Sequence, residues 1–367
     1  MRKKQLALFW VAAVFLVPLI TQADLSIDQL VRQAGISEGD VAIRDVPDWR
    51  GAHKILIWDI GMDLDGIIEE SADVEIIAVE TMAEALQYVR DVDAIVGFCD
   101  DELFAVAERL VWVQIYWAGA ERCLSVADVA NGDVMMTNMQ KMSSPVIAEH
   151  AIAMMLSLAR NLPQFVHAME SRVWADREAA TEGMTAIAGK KLLVVGLGGI
   201  GTEVARLGAA LGMRVSATRN SSRNGPDFIE YVGLSHELHE LAADSDVVVN
   251  ALPLTDATNG LFDGKFFAVV KPGAIFINVG RGKTVITADL IAALESGQIS
   301  GAGLDVTEPE PLPVDSPLWS KENVIITPHV AGTGAERDRH RILLIENLRR
   351  YIAGDRLLNV VDPEKGY

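Results

Sequence analysis

The sequence predicts an α/β chain made of two Rossmann-like parallel-sheet domains with an active-site cleft between them. Three observations carry this. From Lys54 onward, short apolar runs alternate with helical stretches, the pattern of a parallel sheet with covered faces. The strand runs are apolar throughout, as burial on both faces requires. The alternation comes in two blocks on either side of the irregular VWADREAATEGMTAIAG, residues 173–189, and 367 residues give room for two domains of ordinary size.

Taken in order, Arg2, Lys3 and Lys4 precede a charge-free apolar run from Leu6 to Ile20. Thr21-Gln22-Ala23 then sets small residues at the positions a signal peptidase reads before a cut after Ala23. Residues 1–23 are therefore read as an export signal, which makes the mature chain periplasmic or secreted. The run is short beside the ~20 residues of a membrane span, so a membrane anchor follows only if it stays uncleaved. Residues 24–53 form an N-terminal extension in which Ile27, Leu30 and Val31 recur at helical spacing.

The first block offers strands KILIWD (54–59), VEIIAVE (74–80), DAIVGF (93–98) and WVQIYWAG (112–119). Helices are expected at MAEALQYVR (82–90) and DELFAVAERL (101–110). One long helix is expected over 145–171, with Pro145 in its first turn and a break or kink at Pro163. The second block offers strands at 191–198, 213–219, 246–252, 274–280, 301–306 and 323–329, and helices at 201–212 and 287–297. Residues 336–355 read as a last helix ended near Gly354.

Composition narrows the partners. The formal net charge is -19, so no basic footprint for nucleic acid is evident, and any anion site must be built locally from arginines and backbone N–H groups. No metal-ligand spacing stands out. The two cysteines, Cys99 and Cys123, are no disulfide scaffold. They read as two buried thiols near strand ends, or as one bridge if the compartment is oxidising.

GLGGIG, residues 196–201, follows the apolar strand KLLVV. Gly196 allows the tight turn, Gly198 lets backbone approach a pyrophosphate, and Gly201 allows close helix–strand packing. The helix that follows aims its N-terminus at the phosphates. Where the next strand ends, an NAD site would carry an acid for the ribose hydroxyls. The chain reads ATRNSSRNG there, with no acid before Asp227. Thr218, Arg219, Asn220, Ser221 and Arg223 instead suit a 2′-phosphate, pointing to NADP, with NAD as the alternative.

Three polar residues stand where later strands open into loops: Arg281 after INVG, Glu310 in LDVTEPEP and His329 after VIITP. Arginine suits a carboxylate clamp and polarises a ketone. Histidine suits a proton donor near neutrality, and a carboxylate beside it would orient the ring. Taken singly, such a histidine is more often a loop or packing residue and such an arginine more often half of a surface ion pair, and spacing alone does not bring the three together.

With these residues in view, the chain resembles the D-isomer-specific 2-hydroxyacid dehydrogenases over about Lys54 to Leu358. The stretches that carry the likeness are VVGLGGIGTEVARLGAALGMRV, LPLTDATNGLF, FINVGRG, GLDVTEPEPLP and ITPHVAGTG. The tie is loosely nearest the glyoxylate/hydroxypyruvate reductase branch. The resemblance implies that Arg281, Glu310 and His329 form the catalytic set, with Asp305 near the nicotinamide. It adds Gly199, Ile200, Leu252, Pro253 and Val279 to the cofactor contacts. It implies that backbone N–H groups of Trp117, Ala118 and Gly119 hold the substrate carboxylate with Arg281. It also implies a cofactor domain, 145–330, inserted in a substrate domain of 54–144 plus 331–367, and a homodimer joined through the helix near Pro145. The implied reaction is NAD(P)H-dependent reduction of a small 2-keto acid to the D-2-hydroxy acid. A non-catalytic exported binder of nucleotide or small acid is the alternative. Two departures are visible: WAGAERCLSV stands where many members read GAGxDxxD, and the leader and extension precede the first strand.

Overall fold

The computed structural model describes residues 25–64, 73–174, 181–220, 222–335 and 337–366. The expected export signal and Ser221 lie outside them. The first part of the chain runs α1 (Ile27–Ala34), β1 (Glu38–Ala42), β2 (Lys54–Trp58), β3 (Glu75–Val79), α2 (Met82–Tyr88), β4 (Ala94–Val96), α3 (Asp101–Phe104), β5 (Trp112–Gln114), α4 (Ala127–Ala130) and β6 (Met135–Thr137). Helices α5 (Ser144–Ala159) and α6 (Leu162–Glu170) lead to β7 (Lys191–Val195), α7 (Gly199–Ala210), β8 (Arg214–Arg219), β9 (Tyr231–Leu234), α8 (Leu238–Ala242) and β10 (Val247–Asn250). Then come α9 (Gly264–Val269), β11 (Ala274–Asn278), α10 (Thr287–Glu295), β12 (Ile299–Leu304), β13 (Val324–Ile326), α11 (Arg337–Ala353) and β14 (Arg356–Leu358).

Two parallel sheets result, as the sequence predicts. One has five strands in the order β3-β2-β4-β5-β6, and the other has seven in the order β13-β12-β11-β10-β7-β8-β9. In the larger sheet the strand order reverses between β7 and β10, the crevice where such sheets take ligands at their carboxyl ends. Its central strands are buried end to end at Leu192–Val195, Val247–Asn250 and Ala274–Asn278.

Helix α5 packs Ala148, Ala151, Ile152 and Met155 into the core shared with α7 and the larger sheet. The helix expected over 145–171 is broken close to Pro163, as expected, into two. Asn161 takes a left-handed conformation (φ 51°), and Pro163 then sits in the first turn of α6. The run expected as a helix over 101–110 is helical only from Asp101 to Phe104, capped by the Asp100 side chain. Sequence periodicity also missed β1, β6, β9 and β14, all of five residues or fewer.

The extension joins the smaller sheet's core. Leu30 and Ile43 are fully buried there, each worth ~1.5–3 kcal/mol on burial, and β1 pairs antiparallel with β14. Ser26 and Gln29 form a capping box at the start of α1. Helix α11 returns to the same core through Leu343, Leu344, Leu348 and Tyr351, with Tyr351 stacked on Trp112 at 4.8 Å between centroids. A buried polar chain fixes its register. Asn347 donates to Gln114 Oε1 (2.9 Å), as does the Thr137 hydroxyl (2.7 Å), which in turn accepts Trp112 Nε1–H (2.8 Å). Every member is satisfied, so burying it does not leave the penalty of an orphaned polar group.

Cys99 and Cys123, read first as two thiols, are joined in a disulfide. Both are buried. The bridge ties the loop after β4 to the loop after β5, which holds residues 117–121.

A candidate active site between the two sheets

The turn after β7 is built as its glycines require. Gly196 has φ +95°, a conformation that L side chains rarely adopt, and a Cβ there would lie 2.9 Å from Leu252 Cδ2. A Cβ on Gly201 would run into the carbonyl oxygen of Gly196, whereas one on Gly198 would meet nothing within 4 Å. The turn is therefore closed behind Gly201 and open in front of Gly198. Helix α7 starts at Gly199, two residues earlier than expected, and no side chain caps its N-terminus. Its first N–H groups are left to an outside acceptor, the arrangement that suits a pyrophosphate. Ile200 lies in this first turn, while Leu252 and Pro253 follow β10 across the crevice.

At the end of β8, Thr218 is buried and Arg219 donates from Nη1 to the Asn224 carbonyl (2.9 Å). Arg219 has no carboxylate partner among the described residues. Arg223 is differently placed. It pairs with Glu237 (2.7 Å) and donates to the Tyr231 hydroxyl (2.6 Å). Glu237, held by the Leu234 N–H, Tyr231 and Arg223, is pulled down to about 2. Of the two arginines read for the 2′-phosphate, Arg219 is the one without a carboxylate partner among the described residues. Asn220 follows it directly.

Sequence reasoning missed a second cation here. Lys141, in the connection before α5, has φ 72°, and its side chain lies where a Cβ on Gly199 would go. Its ammonium donates to the Gly35 carbonyl at the end of α1. Burial, and then the nearby charge of Arg219, push it below the usual lysine range. Its position in sequence, far from any motif, gave no signal.

The three residues expected to be catalytic fall into two contacts. His329 Nδ1 and Glu310 Oε1 are 2.7 Å apart. A carboxylate can only accept, so Nδ1 carries the proton and Nε2 is the exchangeable atom. His329 has φ 54°, uncommon for a side-chain-bearing residue and frequent at functional sites. Asp305 holds that turn. Its carboxylate accepts from Thr327 Oγ1 (2.7 Å), Val330 N (2.9 Å) and Ala331 N (3.1 Å), and its carbonyl accepts the His329 N–H (2.8 Å). Asp305 is buried behind His329 in this role. His150 of α5 backs the same turn through Thr327 Oγ1 (2.9 Å).

Arg281 touches neither. Asn278, buried at the end of β11, donates to the Arg281 carbonyl (3.3 Å) and accepts from Gly280 N (3.1 Å). Val279, also buried, lies between them. The Arg281 loop abuts the Glu310 loop, because a Cβ on Gly282 would strike the Thr307 carbonyl. The Arg281 guanidinium reaches across to the other sheet. Nε donates to Glu121 Oε1 (2.8 Å), Nη1 donates to the Gly280 carbonyl (2.9 Å), and Nη2 lies where a Cβ on Gly119 would go. The loop that carries Gly119 keeps its carbonyls busy. Met139 N donates to the Trp117 oxygen (3.0 Å) and Asn138 Nδ2 to the Ala118 oxygen (2.7 Å). Among the described residues, the N–H groups of Trp117, Ala118 and Gly119 find no acceptor. Arg281 Nη2 thus lies against Gly119, in the loop whose N–H groups at 117–119 are unpaired among the described residues. Of the other aromatics near in sequence, Tyr116 donates to the Trp58 carbonyl (2.7 Å), and Trp174 is 99% exposed.

Comparison with known proteins identifies the family. The NAD-binding domain model of the D-isomer specific 2-hydroxyacid dehydrogenases matches residues 152–331. A glyoxylate reductase of Pyrococcus furiosus is 32% identical over 313 residues, 81% of this chain and 91% of that protein. The chain belongs to the D-isomer-specific 2-hydroxyacid dehydrogenases. Among solved structures, the family member from Xanthobacter autotrophicus, in complex with NADPH and MES, has a TM-score of 0.72 at 30% identity and covers 86% of this chain and 99% of its own. The NADPH-dependent glyoxylate/hydroxypyruvate reductase of Sinorhizobium meliloti, in complex with NADP and sulfate, has a TM-score of 0.71 at 26% identity and covers 86% of this chain and 100% of its own. As a member of this family the chain is a nicotinamide-dependent oxidoreductase acting between 2-keto and 2-hydroxy acids.

Proposed function

We propose that this 2-hydroxyacid dehydrogenase reduces a small 2-keto acid of the glyoxylate or hydroxypyruvate type to the D-2-hydroxy acid, with NADP(H) preferred over NAD(H). The observation that carries the reading is the His329–Glu310 bond at the mouth of the larger sheet.

The residues at the glycine turn fit the cofactor: open space before Gly198, an uncapped helix start at Gly199 and a guanidinium at Arg219 held only by the Asn224 carbonyl among the described residues. When bound, the reduced nicotinamide supplies a hydride to C2 of the keto acid. Arg281 Nη2 and the N–H groups at Trp117, Ala118 and Gly119 hold the substrate carboxylate, and the same guanidinium offsets charge that develops on the ketone oxygen. His329, protonated at Nε2, gives that oxygen its proton. Glu310 holds the Nδ1–H and offsets the imidazolium charge before transfer. Asp305 and Asn278 act on the backbone, holding His329 and Arg281 at the ends of their strands.

Two further features belong to the proposal. The leader composition and the Cys99–Cys123 bridge both suit an exported protein in an oxidising compartment. An apolar face on α6 and the residues after it (Leu162, Val166, Met169 and Val173) stands exposed, which suits a homodimer and is checked by the mass of the protein in solution.

The functional test is turnover of glyoxylate, hydroxypyruvate and phenylpyruvate by the mature protein, with NADPH and NADH in parallel. Faster oxidation of NADPH with the two smaller acids is expected. Binding of NADPH without turnover of any acid would replace the enzyme reading with a binding role.

A further inference from the structure

We infer that Glu121 is the positioning residue of the carboxylate clamp. Its carboxylate fixes the Arg281 guanidinium so that the Nη2 edge is the one presented to substrate. The inference rests on the reading of Arg281 as that clamp.

The geometry constrains a planar group at two points. Nε is held by Glu121 Oε1 at 2.8 Å and Nη1 by the Gly280 carbonyl at 2.9 Å. Two bonds on one rigid fork set both its plane and its rotation. What remains is Nη2, which meets no acceptor among the described residues and lies against Gly119. Glu121 closes the same contact, since a Cβ on Gly119 would be 2.6 Å from its Oε2. The clamp, the glycine and the carboxylate are thus mutually packed, and only glycine leaves room for them.

The pair is built for position rather than for general surface stability. It joins the loop after β5 to the loop after β11, one from each sheet, and both side chains are only about a third exposed, 34% for Glu121 and 29% for Arg281. Glu121 itself stands on fixed ground. Arg122 is paired with Asp100 (2.8 Å), Cys123 is bridged to Cys99, and Ala120 is buried. A side chain projecting from a loop pinned on both sides can aim its partner to within a fraction of an ångström, as a preorganised site needs.

A carboxylate beside a carboxylate site also repels the substrate. Glu121 therefore trades ground-state affinity for orientation, and the two effects separate by substitution. Glu121→Ala removes the Nε acceptor, while Glu121→Gln keeps an amide oxygen for it and removes the charge. With glyoxylate and NADPH, Glu121→Ala is expected to lose ~10–100-fold in kcat, the scale of one charge-assisted hydrogen bond. Glu121→Gln is expected to recover most of that loss and to show a KM for glyoxylate below wild type. The KM for NADPH and the melting temperature should stay near wild type in both. Wild-type kcat in Glu121→Ala would overturn the inference, and so would a Glu121→Gln variant as slow as Glu121→Ala.

A double-mutant cycle separates the inference from the reading beneath it. If Glu121 acts through Arg281, adding Glu121→Ala to Arg281→Ala causes no further loss, and an additive loss would overturn the inference. If Arg281→Ala itself keeps wild-type kcat and KM for glyoxylate, the clamp reading falls and takes the inference with it. If Arg281→Ala is impaired and Glu121→Ala is not, the clamp stands and only the role of Glu121 fails.

Discussion

His329 and Glu310 meet at 2.7 Å, Nδ1 to Oε1, although they sit on loops that follow two different strands. The bond occupies Nδ1 of the imidazole, and the buried Asp305 carboxylate holds the backbone that carries it. Replacement of His329 by Ala is expected to lower kcat by ~100–10,000-fold, the contribution of a positioned general acid. Glu310→Gln leaves an acceptor for Nδ1–H but no charge, so its loss should be smaller, ~10-fold on the scale of one charge-assisted bond. Steady-state kinetics with a melting curve for each variant checks both. A His329→Ala enzyme with wild-type turnover would remove His329 from the mechanism.

The two arginines after β8 should behave differently. Arg219 has no carboxylate partner among the described residues, whereas Arg223 is already paired with Glu237 at 2.7 Å. Arg219→Ala is expected to raise the KM for NADPH by ~10–100-fold, the value of a charged hydrogen bond to phosphate. Its KM for NADH should hardly move. Arg223→Ala should shift NADPH less. Equal effects on both cofactors would mean that Arg219 reads something other than the 2′-phosphate.

Much of this arrangement was legible in the sequence because it lies on motifs tied to regular elements. KLLVV followed by GLGGIG fixes a strand, a turn and a helix at once, and the structure departs from it in ending the strand at Val195 and running the helix from Gly199 to Ala210. The loops bearing Arg281, Glu310 and His329 were equally readable as places where apolar strands end. What stayed hidden depends on contacts between distant segments. Glu121 meets Arg281 across 160 positions, and Lys141 meets the turn at Gly199. No local pattern encodes either meeting. The pairing of Cys99 with Cys123 was open for the same reason. The break between α5 and α6 was legible from Pro163, but its placement at the left-handed Asn161 was not.

The glycines of the turn separate stability from binding. A Cβ at Gly201 collides with the Gly196 carbonyl, while a Cβ at Gly198 enters open space. Gly201→Ala is therefore expected to cost ~1–3 kcal/mol of stability through overpacking, seen as a lower melting temperature without ligand. Gly198→Ala should melt like wild type yet bind NADPH more weakly, because the new methyl stands where backbone must approach the pyrophosphate. Fluorescence titration with NADPH measures the second effect. Unchanged affinity in Gly198→Ala would place the cofactor elsewhere.

The disulfide should matter to the substrate more than to the cofactor. It joins residues 24 apart in sequence, and closing a loop of that size stabilises a fold by ~3 kcal/mol in the chain-entropy account. The same bridge anchors the segment from Trp117 to Glu121, which carries the free N–H groups and the partner of Arg281. Paired replacement, Cys99→Ser with Cys123→Ser, is expected to lower the melting temperature and to raise the KM for the keto acid. The KM for NADPH should stay near wild type, since the glycine turn belongs to the other sheet. Reduction of the wild-type protein with dithiothreitol should reproduce the loss, and removal of the reductant should reverse it. If both KM values rise together, the bridge supports the fold as a whole and not the substrate loop in particular.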